Sequence, residues 1–150
     1  MEMESGSIDL AWIFNVNREV GIAFGSRKAD VMLVQHALNT VMAHLGLKDK
    51  SGKTLYYLTR NGVCDKATAE AIAAYQRNLL ERGKHVKADG FVSPSSRSGW
   101  NKAGDAQFTI VYLNRDHLKI HGKMMEEKDF PLELQADIKA NAYLGKTPRR

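Results

Sequence analysis

Val31-Met32-Leu33-Val34-Gln35-His36-Ala37-Leu38 returns further along the chain as Ile72-Ala73-Ala74-Tyr75-Gln76-Arg77-Asn78-Leu79, apolar at the first, fourth and last places and glutamine at the fifth. The offset is constant, 72 − 31 = 41. Apolar residues spaced three and four apart fall on one stripe of a helix, the face that seeks a core. The first stripe continues through Val41 and Leu45 and predicts a helix over 30–45. Asp30 or Ser26 is placed to cap its start, and Gly46 to stop it in a left-handed conformation. The second stripe, from Thr68 to Leu79, predicts a helix over 66–81, capped by Asp65 through the amide of Ala67 or Thr68 and ended at Gly83.

A second repeat surrounds these helices. Asn61-Gly62-Val63-Cys64-Asp65-Lys66-Ala67-Thr68 is echoed by Asp89-Gly90-Phe91-Val92-Ser93-Pro94-Ser95-Ser96, at an offset of 89 − 61 = 28. Glycine in the second place of each suits a tight turn that needs positive φ. Thr68 and Ser96 then stand at helix starts, and Pro94 predicts a short third helix through Trp100. Ahead of the first turn lies a long polar connection, 46–64. Its tip, Lys48 to Lys53, reads as mobile, and Leu55-Tyr56-Tyr57-Leu58 as apolar enough to dock. Residues 8–24 hold no helical period and predict an extended arm that packs Trp12, Phe14 or Phe24 on the body.

Residues 107–121 are two-sided: Phe108, Val111 and Leu118 suit a helix, Thr109-Ile110-Val111-Tyr112 a strand. A helix is preferred because no partner strand is evident elsewhere. Pro131 starts a final helix through Tyr143. The expected architecture is mostly all-α. A compact three-helix core over 30–103 follows an extended N-terminal arm over 1–29. A helical extension over 104–150, with the basic tail Lys146, Arg149 and Arg150, packs on that core.

Composition narrows the function classes. With 150 residues, 43% apolar and 26% charged, the chain can bury about 70% of its unfolded surface and build one core. A single cysteine, Cys64, closes no intramolecular disulfide and anchors no zinc cluster; a small, buried apolar role suits it. Met1-Glu2-Met3-Glu4-Ser5-Gly6 is acidic and lacks the start of a Sec signal, and no stretch approaches the ~20 apolar residues of a membrane span. The expectation is a cytoplasmic chain as encoded, reaching the periplasm or cell wall only by a non-Sec route. A net charge of +5 and a pI near 9.4 suit an anionic partner, but the cations are spread along the chain as on an ordinary solvated surface.

The centre of the chain, about residues 30–100, resembles the peptidoglycan-binding domains of the small helical kind. These carry V-x-x-L-Q-x-x-L, then D-G-x-x-G-x-x-T-x-x-A-I-x-x-F-Q, then D-G-x-V-x-P. Here the three elements are Val31 to Leu38, Asn61 to Gln76 with Tyr75-Gln76 at its end, and Asp89-Gly90-Phe91-Val92-Ser93-Pro94. Asn61 stands where the family has Asp, and Asp65 where it has its second Gly. The resemblance implies a non-catalytic module that binds peptidoglycan stem peptide or glycan and positions a partner, a cell-wall hydrolase or a secretion component. The alternative is a protein-interaction adaptor on the same scaffold, associated with a secretion or phage-like apparatus, that no longer binds wall.

A groove for a glycopeptide needs amphipathic rings, amide-bonding groups and cations. Tyr56, Tyr57, Arg60, Asn61, Asp65 and Lys66 supply those groups within one stretch and are the candidate ligand-binding residues. Gln35 and Gln76 are better placed to bond backbone across the repeat than to touch ligand. No catalytic residue, cofactor or metal is expected. Asp116, Glu126, Glu127 and Asp129 form no marked acid pair, Ser93, Ser95, Ser96 and Ser98 lack a nucleophile elbow, and no helix shows the dense basic face of a nucleic-acid binder. His117 and His121, at i and i+4, share a helix face but lack the H-E-x-x-H glutamate; they read as a solvated pair.

Overall fold

Glycine stops and one carboxylate cap bound the first two helices of the computed structural model, which describes residues 12–22, 25–95 and 108–144. Helix α1 spans Lys28–Leu45 and ends at Gly46, whose φ of 65° lets the chain turn left-handed and return its amide to Ala43 and Met42. Helix α2 spans Lys66–Glu81; Asp65 caps it by accepting the Thr68 amide at 2.9 Å. Past its end Gly83 takes φ 81° and the Lys84 amide reaches back to Leu79 at 2.9 Å. Neither Asp30 nor Ser26 caps α1. Asp30 accepts the amides of Asn17 and Arg18 at 2.9 and 3.0 Å, and Ser26 bonds Gly21. Both side chains hold the arm instead of the helix.

Helix α3, Thr109–His121, settles the two-sided segment as helix, ended by Gly122 at φ 88°. Every residue from Thr109 to His117 is buried, so the segment carries apolar groups on all sides without needing a strand's alternation. Helix α1 is similarly enclosed: it packs against α2, against α3 and against α4, Leu132–Ala140. Helix α3, in the region expected as the extension, packs on α1 within the same apolar core. The short helix expected from Pro94 to Trp100 falls largely outside the described residues; Pro94 and Ser95 themselves are not helical.

The final helix stops at Ala140 rather than continuing to Tyr143. After Asn141, Ala142–Leu144 forms strand β2, which pairs antiparallel with β1, Trp12–Phe14, placing Trp12 opposite Leu144 and Phe14 opposite Ala142. A partner strand thus exists, supplied from the far end of the chain. The arm is clamped along its length. Asn114 of α3 accepts the Phe14 amide and donates to the Phe14 carbonyl, at 3.0 and 3.1 Å. Asn15 does the same to the Ser95 backbone, and Val20 bridges to Val92. Ile13, Phe14, Val16 and Val20 are consequently part of one apolar core with Val34, Leu38, Ile72, Leu79, Leu113 and Ile138. Phe24 and the Trp12 side chain lie outside the described residues. Among the described residues no helix is long and apolar enough to cross a membrane.

Candidate functional site

The repeated glutamines are backbone braces, and they explain why the turns recur. Gln35, fully buried on α1, accepts the Gly62 amide at 3.0 Å and donates to the Val63 carbonyl at 3.1 Å and the Thr68 hydroxyl at 3.0 Å. Gln76 of α2 accepts the Gly90 amide at 2.8 Å and donates to Phe91 at 2.9 Å and Thr109 at 3.0 Å. In each turn the preceding side chain, Asn61 or Asp89, accepts the amide two residues on at 3.0 Å. The threonines keep the helix offset, 109 − 68 = 41, and Thr109 takes the place in the second brace that Thr68 has in the first. Thr68 follows its glycine by 68 − 62 = 6 residues and Thr109 by 109 − 90 = 19, which hides the equivalence along the sequence.

The same offset runs on once more. Leu113, Asp116, His117 and Ile120 stand 41 residues after Ile72, Tyr75, Gln76 and Leu79, so His117 takes the glutamine's place on α3. Its Nδ1 lies 3.0 Å from the Lys123 carbonyl, again the residue after a left-handed glycine. A carbonyl only accepts, so Nδ1 carries the proton and Nε2 keeps a lone pair. His117 is buried rather than solvated, contrary to the face expected from its spacing. Its ring centroid is 5.1 Å from His121 and 5.7 Å from His36, and His36 packs edge-on to Phe130 at 5.0 Å. His36 Nε2 is 3.7 Å from Asp129 Oδ2. Burial, reinforced by the Arg60 guanidinium, pushes the His36 imidazole down to about 4, and burial lowers His117 as well. Both rings are neutral at neutral pH. As the side chains stand, no three His, Cys, Asp or Glu groups among the described residues surround a common metal position.

Asp116, in the place of Tyr75, anchors a second polar cluster. It accepts the Tyr75 hydroxyl and a two-pronged contact from Arg82, at 3.2 and 2.7 Å. Burial, followed by the Asp116 charge, raises the Tyr75 phenol well above its ordinary range. This cluster ties α2 to α3 and leaves Tyr75 inaccessible.

The six candidate residues divide by duty. Tyr56 and Tyr57 are 72% and 70% exposed, and Lys66 is exposed too. Asn61 belongs to the first brace: its Oδ1 accepts from Gln35 Nε2 and from the Val63 amide. Asp65 is the α2 cap. Arg60 donates through Nη2 to the Asp129 carbonyl at 2.7 Å and so fastens the loop to the turn at Glu127–Asp129, while its Nε is buried with no hydrogen-bond partner among the described residues.

None of the six lines the open cleft of about 560 Å³ between the end of α1, the 46–52 loop and α2. That cleft presents Lys48, Lys50 and Arg77 with Asp49, Glu81 and the Asn78 amide. The loop beneath it, expected to be free of structure, is cross-linked by its own hydrogen bonds. Asp49 Oδ1 accepts the amides of Ser51 and Lys53, both at 2.9 Å, and the Leu55 amide bonds Leu47 at 2.8 Å. Arg77 steadies the rim by donating to the Lys48 carbonyl at 3.0 Å. The polarity of 48–53 suggested freedom because the Asx bonds of Asp49 are invisible to composition. Compared with family models, curated proteins and solved structures, the chain matches none.

Proposed function

We propose that this chain is a non-catalytic binding module for bacterial cell-wall glycopeptide. The observation that carries the reading is the cleft between the 46–52 loop and α2. Its volume of about 560 Å³ suits a short peptide. Stem peptides bear carboxylates, a free amine and many amides, and the cleft sets Lys48, Lys50 and Arg77 against the first, Glu81 against the second and Asn78 against the third. The exposed rings of Tyr56 and Tyr57 offer apolar faces to sugar. The braces on Gln35 and Gln76 support the resemblance from another side, since they give the repeated turn residues a structural reason to recur together.

Retention of the chain on purified insoluble peptidoglycan, and its release by soluble stem peptide, tests the reading. Lys50→Glu with Arg77→Glu should weaken retention about tenfold or more, with little change in melting temperature because both residues are exposed. Tyr56→Ser with Tyr57→Ser should weaken it less. A wild-type chain that passes through unretained, yet carries a stoichiometric protein partner lost on changing the tyrosines, would replace this reading with the adaptor. The exposed Tyr56, Tyr57 and Val63, close in sequence, are the surface that favours this second reading.

A further inference from the structure

Three of the chain's five histidines meet on one side of the core, and one short segment closes over two of them. Nothing in the wall-binding reading uses this cluster. Residues 122–129 run from the left-handed stop of α3 at Gly122 to Phe130, ahead of α4. Two side chains of the body hold this strap by its backbone. Arg60, from the loop before α2, donates to the Asp129 carbonyl at 2.7 Å, and His117 Nδ1 donates to the Lys123 carbonyl at 3.0 Å. Between these points in the chain Met125 enters the core, 1% exposed. His36 of α1 lies at the Asp129 end. Its Nε2 is 3.7 Å from Asp129 Oδ2, and its ring packs 5.7 Å from His117 and 5.0 Å from Phe130.

We propose that residues 122–129 form an acid-released strap: protonation of His36 drives the segment off α1 and α3, uncovering Met125 and freeing the Arg60 guanidinium, while the braced helices stay folded. The charges around the ring set the direction. His36 is faced by Arg60 from the loop, by Asp129 from the strap and by His117 and His121 from α3. Asp129 attracts a proton to His36, but burial and Arg60 outweigh it. His117 is faced by His121, Asp129 and Lys123; its bond to the Lys123 carbonyl favours the charged ring, burial opposes it more, and the ring adds to the effect in the same direction. The strap's other carboxylates are paired elsewhere, Glu126 with Lys123 and Lys128, Glu127 with Lys139 of α4. In the closed molecule His36 titrates at about 4, against 6.5 for an imidazole in water. Below 6.5 the open form therefore takes up a proton that the closed form refuses. Acid favours opening by up to about tenfold per pH unit, and by about 300-fold over the gap between 6.5 and about 4. Above 6.5 the ring is neutral in both forms and closure is undisturbed.

The strap can lift without unfolding its neighbours. Phe130 stays behind as an anchor: its ring is buried 6.2 Å from Phe14, and its carbonyl accepts from Gln135 at 2.9 Å. At the other end Gly122, at φ 88°, has open space where a side chain would stand. Gln35 and Asn39, on either side of His36 along α1, keep the Arg60 loop on the helix through Gly62 and Leu58. Opening is thus confined to the strap.

Proton NMR of the full chain, titrated from about pH 7.5 to about pH 4, tests this. The imidazole C–H signals follow the rings and the Met125 methyl follows the strap. The Gly62 and Gly90 amides, held by Gln35 and Gln76, follow the braces. The Met125 methyl should move toward its position in a short peptide, in step with the His36 signal and with a midpoint between pH 4 and 6.5, while both brace amides keep their shifts. His36→Gln, which cannot take up the proton, should move that midpoint about one pH unit lower or more. His44→Gln, at an exposed position of the same helix, should leave it where it was. A Met125 signal that stays buried down to about pH 4 overturns the proposal, and the unaltered chain alone gives that answer should His36→Gln fail to fold. So do brace amides that change together with Met125, a midpoint that His36→Gln leaves unmoved, or one that shifts with His44→Gln.

Discussion

A methyl group added at Gly62 would stand 2.4 Å from Lys28 Cγ and 3.2 Å from the Lys28 carbonyl, on a residue already at φ 74°. Gly46 has a comparable φ of 65° but nothing within 4 Å of such a methyl. The pair separates conformational strain from close approach. Gly46→Ala should cost about 1 kcal/mol for the left-handed backbone alone, and Gly62→Ala at least about 1 kcal/mol more, both read from urea unfolding midpoints. Gln35→Leu should be worse still. It fills similar space but strands the Gly62 amide, the Val63 carbonyl and the Thr68 hydroxyl, with an expected loss of about 3 kcal/mol. These two braces were legible in the sequence because a glutamine on an apolar stripe must find partners inside. Thr109 was not, since the longer segment after Gly90 breaks the register that would align it with Thr68. His117 could have been found by applying the 41-residue offset a second time.

Helices α1 and α2 announce themselves through period and punctuation together: a stripe and a glycine stop for both, and for α2 a carboxylate cap as well. Helix α3 and strand β2 do not. A segment buried on every side shows no periodicity, and a three-residue strand is too short to show alternation. The partner of Trp12 is Leu144, 144 − 12 = 132 residues away, beyond any local signal. The link between α2 and α3 has a measurable pH dependence. The phenol of Tyr75 ionises at 10 when unfolded and well above that when folded, so the folded state holds the proton longer. Stability from this group is complete below pH 10 and falls as pH climbs above it, by about 1.4 kcal/mol per pH unit until the folded group also ionises. Thermal melts between pH 8 and 11 should show that decline, and Tyr75→Phe should flatten it.

The candidate binding residues, inside the cleft and outside it, show the same division between what local sequence carries and what assembly adds. Tyr56, Tyr57 and Lys66 could be chosen by chemistry alone, whereas Arg77 and Glu81 join Lys48 and Lys50 only because α1 and α2 pack side by side. The arm, too, is integral to the whole. Removing residues 1–16 would uncover the surface that Ile13, Phe14 and Val16 fill, at a cost of about 5 kcal/mol, and should leave a chain with no sharp cooperative unfolding transition. A further consequence comes from the pairing of β1 with β2. Because Trp12 and Leu144 lie opposite one another, the polypeptide passes into and out of this region at neighbouring points. Such a geometry tolerates insertion into a surface loop of a host protein, and it tolerates rewiring. A circular permutant in which a short linker runs from Leu144 to Trp12 and the chain opens at Ser51, in the exposed 48–53 loop, should fold with the brace bonds intact and elute as a particle of native size.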